Sequence, residues 1–298
     1  MIKYNIISPV RNEEKFVEET IKSVINQTVL PREWILVNDG STDRTEEIIK
    51  PYVEKHDWIK LVSLTDRGYY YPGTGVVEVV KKGFGTISST DWDFLVKLDC
   101  DITIETNYFE NILNEFIKNP RLGIASGGIY LIEGTKTTQE KSQSDHPWGA
   151  SKVYRRKCFE DIKGWKPIPG WDLADLLSAQ MNGWETRCFN QFRIYHYRGT
   201  GLRRTGLTSG RFLWGRFQYR YGYSLFYIFL KSIYWLPEKP YILGGASILT
   251  GYLYAAVTRE KRLFDKDMRI FLRKKHRNYL MQKISVLFKK NKQQGQKK

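Results

Sequence analysis

The sequence predicts an α/β protein: a mostly parallel sheet flanked by helices, then a helical, basic and aromatic C-terminal extension. Three observations predict it. Short apolar runs ending in turn residues alternate with segments whose apolar residues recur at helical spacing, the pattern of βαβ units with right-handed crossovers. One such run, Phe94-Leu95-Val96-Lys97-Leu98, stops at two carboxylates one residue apart, Asp99 and Asp101. Charge is also unevenly divided. Residues 1–198 carry 26 Lys/Arg against 28 Asp/Glu, a net −2, and residues 199–298 carry 22 against 4, a net +18.

The chain of 298 residues is long enough for one large or two modest domains with a real core. Its three cysteines, Cys100, Cys158 and Cys188, are too few and too scattered for a disulfide framework or a zinc site, and a reducing compartment suits them. The N-terminus runs straight into a strand-like pattern, so no cleaved secretion signal is expected.

Residues 3–10 form the first expected strand. Arg11-Asn12-Glu13-Glu14 follows, and then Phe16, Val17, Thr20, Ile21, Val24 and Ile25 recur at helical spacing. Asn12 is placed as the N-cap of that helix. Residues 33–38 make a second strand, ending in the turn Asp39-Gly40-Ser41-Thr42-Asp43. A helix over 45–52 comes next, with Asp43 and Glu46 at capping-box spacing. A third strand spans 58–64. A Gly-rich loop at 68–75 and a helix over 76–87 lead to the run that ends on Asp99. In an open parallel sheet the carboxyl ends of the strands face the ligand crevice. Two carboxylates there, with no adjoining His or Cys, suit a hard cation that leaves positions for water and phosphate oxygens. Asp39, also at a strand end, can accept hydrogen bonds from a base N–H or a ribose hydroxyl. Asp-Gly is equally an ordinary turn former.

These motifs, Ser8-Pro9-Val10-Arg11-Asn12-Glu13, Val37-Asn38-Asp39-Gly40-Ser41-Thr42-Asp43 and Leu98-Asp99-Cys100-Asp101, resemble those of family 2 glycosyltransferases with the GT-A (Rossmann-like) fold. The resemblance covers about two thirds of the chain. It implies that the first two motifs hold the nucleotide of a sugar nucleotide and that Asp-x-Asp holds a metal on its diphosphate. Donor contacts are thus expected from Pro9, Val10, Arg11, Glu13, Asp39, Gly40, Ser41, Arg67, Lys97 and Asp99. Mg2+ or Mn2+ is expected on Asp99 and Asp101.

Past Asp101, a helix carrying Tyr108, Phe109, Ile112, Leu113, Phe116 and Ile117 precedes strand-like segments at 122–132 and 148–154, with a polar, mobile loop over 133–147 between them. The turn Gly164-Trp165-Lys166-Pro167-Ile168-Pro169-Gly170-Trp171 delivers Asp172 to the start of a helix. Many members of the family carry Glu-Asp here, with the Asp as catalytic base. This sequence has Trp171-Asp172, so Asp172 is the first choice and Asp175, three residues on, a competitor. After a short strand at 186–189, His196 stands where the family often has a third metal ligand or a diphosphate contact. Arg198, Arg203 and Arg204 either neutralise the diphosphate or belong to a membrane-facing surface.

From Arg211 the texture changes. Arginines interleave with aromatics, residues 224–235 are largely apolar, and residues 241–257 are uncharged and contain three glycines. Seventeen residues is the lower limit for crossing a bilayer. Helices lying in the interface account better for Arg and aromatics at headgroup level. Residues 283–298 are Lys/Gln-rich and expected to be disordered.

The expected organisation is a GT-A domain over 1–205, a helical membrane-associating region over 206–282 and a basic tail. The expected activity is metal-dependent, inverting glycosyl transfer from a nucleotide-diphospho-sugar, with UDP placed ahead of GDP or dTDP. The acceptor is a hydroxyl of a lipid-linked or cell-surface glycan. The expected location is the cytoplasmic face of the cell membrane, peripheral or monotopic, on an anionic lipid surface and without nucleic acid as partner. Transfer to a polyprenyl phosphate and a non-catalytic membrane-bound sugar-nucleotide sensor are the alternatives. A nucleotidyltransferase would show a glycine-rich basic loop after the first strand, where this chain has Pro9-Val10-Arg11-Asn12-Glu13.

Overall fold

The computed structural model describes residues 2–66, 68, 73–198, 206–237 and 240–295. Arg67, Arg203 and Arg204 lie outside these residues. The chain divides into two compact units, Met1–Gly199 and Thr200–Lys298, so the division falls at 199/200 rather than at the expected 205/206.

The first unit runs β1 (Tyr4–Val10), α1 (Val17–Ile25), β2 (Glu33–Asp39), α2 (Thr45–Lys55), β3 (Ile59–Leu64), α3 (Thr74–Phe84), β4 (Phe94–Leu98), β5 (Ile102–Ile104) and α4 (Tyr108–Lys118). It continues with β6 (Leu122–Glu133), β7 (Lys136–Gln139), β8 (Ser151–Arg155), α5 (Arg156–Asp161), α6 (Trp171–Met181) and β9 (Glu185–His196). The described residues form a nine-stranded sheet in the order β3-β2-β1-β4-β8-β6-β9-β5, with β7 on β6. The half built from β1 to β4 is parallel. β1 and β2 are buried over nearly their whole length, as strands covered on both faces must be, and this is why they read as continuous apolar runs. Helix α1 buries Val17, Thr20, Ile21 and Val24, one face at helical spacing.

From β1 the chain moves outward through β2 to β3, then returns to place β4 on the other side of β1. This reversal is the switch point at which open α/β sheets leave a crevice. The carboxyl ends of β1, β2 and β4 border it.

Beyond β4 the sheet departs from the parallel expectation. β8 runs antiparallel to β4 and β6, and β5 antiparallel to β9. Residues 133–147 are not a plain loop, because β7 folds back on β6 from Glu133↔Lys136 to Tyr130↔Gln139. All four β7 side chains are exposed, so no apolar alternation marks the strand in the sequence. β9 is continuous over residues where only a short strand at 186–189 is expected.

The second unit contains α7 (Leu207–Tyr221), α8 (Leu225–Tyr234), α9 (Ile242–Val257) and α10 (Lys266–Gly295). Ile228, Ile248 and Tyr252 form its buried centre, with Trp214, Tyr219, Tyr223, Trp235 and Leu249 packed around them. Among the described residues no helix is long and apolar enough to cross a membrane. Residues 283–295 of the tail expected to be disordered belong to α10, which continues through Gly295, and residues 296–298 lie outside the described residues. Lys, Arg and Gln are good helix formers, so a polar composition does not by itself end a helix.

Candidate active site

The first two motifs hold each other. The Asn12 side-chain oxygen accepts the Thr42 N–H at 2.8 Å, and the Asn12 N–H donates to Ser41 Oγ at 3.0 Å. The Glu13 N–H donates to Thr45 Oγ1 at 2.8 Å and the Glu14 N–H to Asp43 Oδ2 at 3.2 Å. Asn12 therefore does not cap α1, which begins at Val17. It sits at φ 53°, a left-handed conformation that Asn tolerates better than most residues. The capping box is also absent: Asp43 accepts the Thr45 N–H at 3.0 Å, while Glu46 turns to Asn38 at 2.7 Å and Ser63 at 2.8 Å. Ser41, Thr42, Asp43 and Thr45 hold the two loops together, while Asn38 ties its own turn to Ser41 and Glu46.

At the mouth of β1 and β2, the Arg11 guanidinium donates to the Asp39 carbonyl at 2.7 Å and to Asp66 at 2.7 Å, and lies 3.9 Å from the Asp39 carboxylate. Gly40 has φ +64°, and a Cβ on it would stand 2.4 Å from Asp66 Cα. A side chain cannot be accommodated where the two backbones meet. Asp66 was not legible from the sequence, since an acid in a turn carries no pattern. Pro9 is half-buried, but Val10 is 1% exposed and part of the core. The Val10 side chain is thus committed to the core.

The Asp-x-Asp pair lies at the end of β4. Asp99 is held by the Lys97 ammonium, which also donates to the Gly149 carbonyl at 2.8 Å. The Asp99 N–H donates to the Ala150 carbonyl at 2.8 Å. Burial pushes the Asp99 carboxyl above its usual value, and neighbouring Asp101 adds to this while Lys97 opposes it. Asp101 behaves differently. Burial would raise it, but His196 and Arg198 outweigh burial and hold it at about 2. His196 Nε2 is 3.2 Å from Asp101 Oδ2, and Arg198 approaches that oxygen at 2.7 and 3.0 Å. Pairing of Ile102 with His196 between β5 and β9 brings the histidine there. Burial lowers the imidazole's basicity, but Asp101 and Asp99 outweigh it and His196 titrates above its usual value. Arg198 also bonds Glu13, whose carboxyl is pushed up to about 7 by burial, with the charges on Asp101 and Asp99 adding to the rise.

Lys97 was expected to touch the donor. In the structure its side chain is 3% exposed and bonded to Asp99 and Gly149. Directly across the antiparallel β4–β8 pair stands a second buried lysine, Lys152. Both ammoniums lie over the Trp171 ring, at 5.5 and 5.4 Å. Two like charges side by side in a core each require an anion. Lys97 has Asp99, and Lys152 has Asp175 at 3.0 Å. Asp175 is therefore tied into the core. Its other oxygen accepts the Tyr154 hydroxyl, the Leu176 N–H donates to the first at 2.6 Å, and the side chain is 1% exposed.

Lys152 also donates to the Asp172 carbonyl at 2.7 Å and so fixes the first turn of α6. Asp172 is half-buried, and its Cβ lies 3.6 Å from where a Cβ on Gly149 would be. Gly149 and Ala150 are the residues whose carbonyls receive Lys97 and the Asp99 N–H. Asp172 is thereby brought beside the Asp-x-Asp end of β4. A cavity of about 520 Å³ near the other end of β4, lined by Trp92, Phe159 and Trp165, has no carboxylate pair and is not this site.

The donor set suits a hard divalent cation. Asp99 and Asp101 supply oxygens, His196 supplies an imidazole beside Asp101, and Glu13 Oε2 is buried with no hydrogen bond. Among the described residues no three His, Cys, Asp or Glu side chains close around a cation position.

A family model described as glycosyl transferase family 2 matches residues 5–170, which is more than half of the chain. This chain belongs to that family. The poly-beta-1,6-N-acetyl-D-glucosamine synthase of Staphylococcus epidermidis is 31% identical over 116 residues, 39% of this chain and 26% of the relative. The minor teichoic acid biosynthesis protein GgaB of Bacillus subtilis is 30% identical over 141 residues, 44% of this chain and 14% of the relative. The chain thus matches about a quarter or less of the length of these relatives. Among solved structures, the mannosyltransferase PcManGT of Pyrobaculum calidifontis, in complex with GDP-Man and Mn2+, aligns over 93% of this chain and 80% of its own, with a TM-score of 0.53 and 17% identity. Staphylococcus aureus TarS in complex with UDP aligns over 86% of this chain and 72% of its own, with a TM-score of 0.51 and 16% identity. At these identities the likeness is one of fold, and the fold is GT-A.

Proposed function

We propose that this chain is an inverting glycosyltransferase that moves a sugar from a nucleotide-diphospho-sugar to a hydroxyl of a cell-envelope glycan, polymeric or lipid-linked. The observation that carries this reading is the placement of Asp172 beside the Asp99 end of β4, with Asp175 committed to Lys152 and Tyr154. Of the two candidates on α6, Asp172 is the carboxylate that has no buried lysine and tyrosine bonded to it. The envelope-glycan acceptor is inferred from the poly-N-acetylglucosamine synthase and teichoic acid relatives.

In this mechanism Arg11, Asp39, Gly40 and Ser41 form the side of the crevice that receives the nucleotide. Asp99 and Asp101, with His196, would hold Mg2+ or Mn2+, which when bound supplies Lewis-acid stabilisation of the leaving diphosphate. Asp172 accepts the proton of the acceptor hydroxyl, and that oxygen attacks the anomeric carbon from the face opposite the diphosphate. Arg198 places a guanidinium beside Asp101, where negative charge accumulates. UDP is the first donor nucleotide to test, as TarS was solved with it, and GDP the second, as PcManGT was solved with GDP-Man. The C-terminal unit keeps the enzyme peripherally on an anionic membrane surface.

The test separates binding from turnover. Asp172→Asn should keep the thermal stabilisation given by nucleotide with Mn2+ and lose about 10²–10⁴-fold in rate. Asp175→Asn should lower stability while the folded fraction still turns over. An active Asp172→Asn enzyme would remove the assigned base, and no stabilisation by any nucleotide would remove the donor reading.

A further inference from the structure

Three large apolar side chains stand exposed in the first unit, Leu30, Ile117 and Met181, against fifteen in the C-terminal unit, among the described residues. The fifteen are concentrated. On α8, Phe226, Phe229, Ile233 and Tyr234 are 66, 50, 48 and 65% exposed. The first three recur at spacings of three and four, which puts them on one face. In the first turn of α9, Ile242 and Leu243 are 70 and 62% exposed.

The packing of α8 explains why this face is bare. Its inner side carries Ile228 and Ser232, both buried. A Cβ on Gly245 of α9 would lie 2.3 Å from the Ser232 carbonyl oxygen, so the two backbones touch there. The apolar stripe lies round the helix from that contact. The single charge in α8, Lys231, is on the far side from the stripe, with its ammonium 4.0 Å from the Trp214 ring. The outward face is therefore uncharged as well as apolar, and contiguous exposed apolar surface of this kind marks an interaction site.

We propose that α8 and the first turn of α9 are the part of the protein that enters an anionic lipid surface, lying in its plane. The ten residues of α8 span roughly 15 Å, about half of a bilayer's hydrocarbon thickness, so the helix cannot cross it. Charge selects the occupant. A second copy on this face would bring together two segments of net +18 each, whereas anionic headgroups neutralise that charge. The inference names the contact surface for the membrane part of the proposed function. It is independent of glycosyl transfer, since it needs neither donor nor turnover.

The full chain is mixed with sedimentable vesicles of phosphatidylcholine alone and of an equal mixture of phosphatidylcholine and phosphatidylglycerol. Wild type should pellet with the mixed vesicles, and less so as salt rises. Phe226→Asp and Phe229→Asp should each weaken this binding roughly tenfold or more, because an apolar group that enters lipid is replaced by a charge. Both positions are exposed, so folding should survive, and circular dichroism checks it. The three native cysteines are buried, so a polarity-sensitive dye on Phe229→Cys reports this site alone and should shift to the blue with mixed vesicles. Undiminished binding by both aspartate variants, or an unshifted dye, would overturn the assignment. Equal binding to phosphatidylcholine alone would overturn the charge argument. A wild-type dimer that ignores vesicles and becomes monomeric in the aspartate variants would give the face to a second copy instead.

Discussion

Replacing Lys152 with Met tests how the assigned base is held. Lys152 and Asp175 are 0 and 1% exposed and 3.0 Å apart, so the substitution strands a carboxylate in the core. Breaking a buried pair from one side costs about 3–5 kcal/mol. At roughly 2–4 °C per kcal/mol for a unit of this size, the melting temperature should fall by about 6–20 °C. Most of that cost is the penalty on the stranded charge rather than the worth of the pair. The triple variant Lys152→Met, Asp175→Leu, Tyr154→Phe should therefore recover most of the loss. Tyr154 must change too, because its hydroxyl would lose Asp175 as acceptor and cost about 1–3 kcal/mol. Urea unfolding of the single and triple variants gives both numbers. The triple variant also loses the Lys152 bond to the Asp172 carbonyl, so its turnover should stay low after its stability returns. A single-variant loss below about 1 kcal/mol would refute the buried-pair reasoning. A triple variant that regains full activity would refute the positioning of Asp172 by Lys152.

Two more outcomes follow from the geometry. Gly40→Ala combines a left-handed φ with a Cβ driven into the Asp66 backbone, whereas Gly134→Ala at φ +61° meets nothing within 4 Å. Gly134→Ala should cost about 1–2 kcal/mol, and Gly40→Ala clearly more, with weaker nucleotide binding by calorimetry; equal losses would show that the Asp66 contact yields freely. At the start of β2, burial would raise Glu33, but Lys60 and the Ser88 and Ser89 N–H groups outweigh it and hold the carboxyl below its usual value. A depressed carboxylate stabilises the fold above its unfolded value of about 4.3 and loses that contribution as pH falls through the lower folded value. The stability gap between wild type and Glu33→Gln should therefore be full at neutral pH and shrink in the acid range, as read from urea midpoints. A gap that does not change with pH would place its origin elsewhere.

How much of the fold the sequence discloses depends on burial. β1, β2 and β4 were legible because strands covered on both faces consist of apolar runs, and α1 and α4 because one face of each repeats at helical spacing. β7 left no trace because both its faces meet water. Lys97 stood in the sequence as the single charge inside an apolar strand, a signal that a buried ion pair must follow, while Lys152 shares its strand with Arg155. That the two lysines are neighbours depends on the β4–β8 register, which aligns residues 55 positions apart.

The sequence by itself determined the order of the elements, the three motifs at strand ends and the concentration of positive charge in the last third, because each is a local pattern or a sum over residues. Only the tertiary structure showed how differently Asp172 and Asp175 are surrounded. Both lie in the first turns of α6, where spacing alone leaves them equivalent. The packing of α6 over β8 puts Lys152 and Tyr154 against Asp175 and leaves Asp172 beside Gly149. A carboxylate in a core is fixed by the cation that neutralises it, and that cation comes from a distant strand that no local reading of the chain can supply.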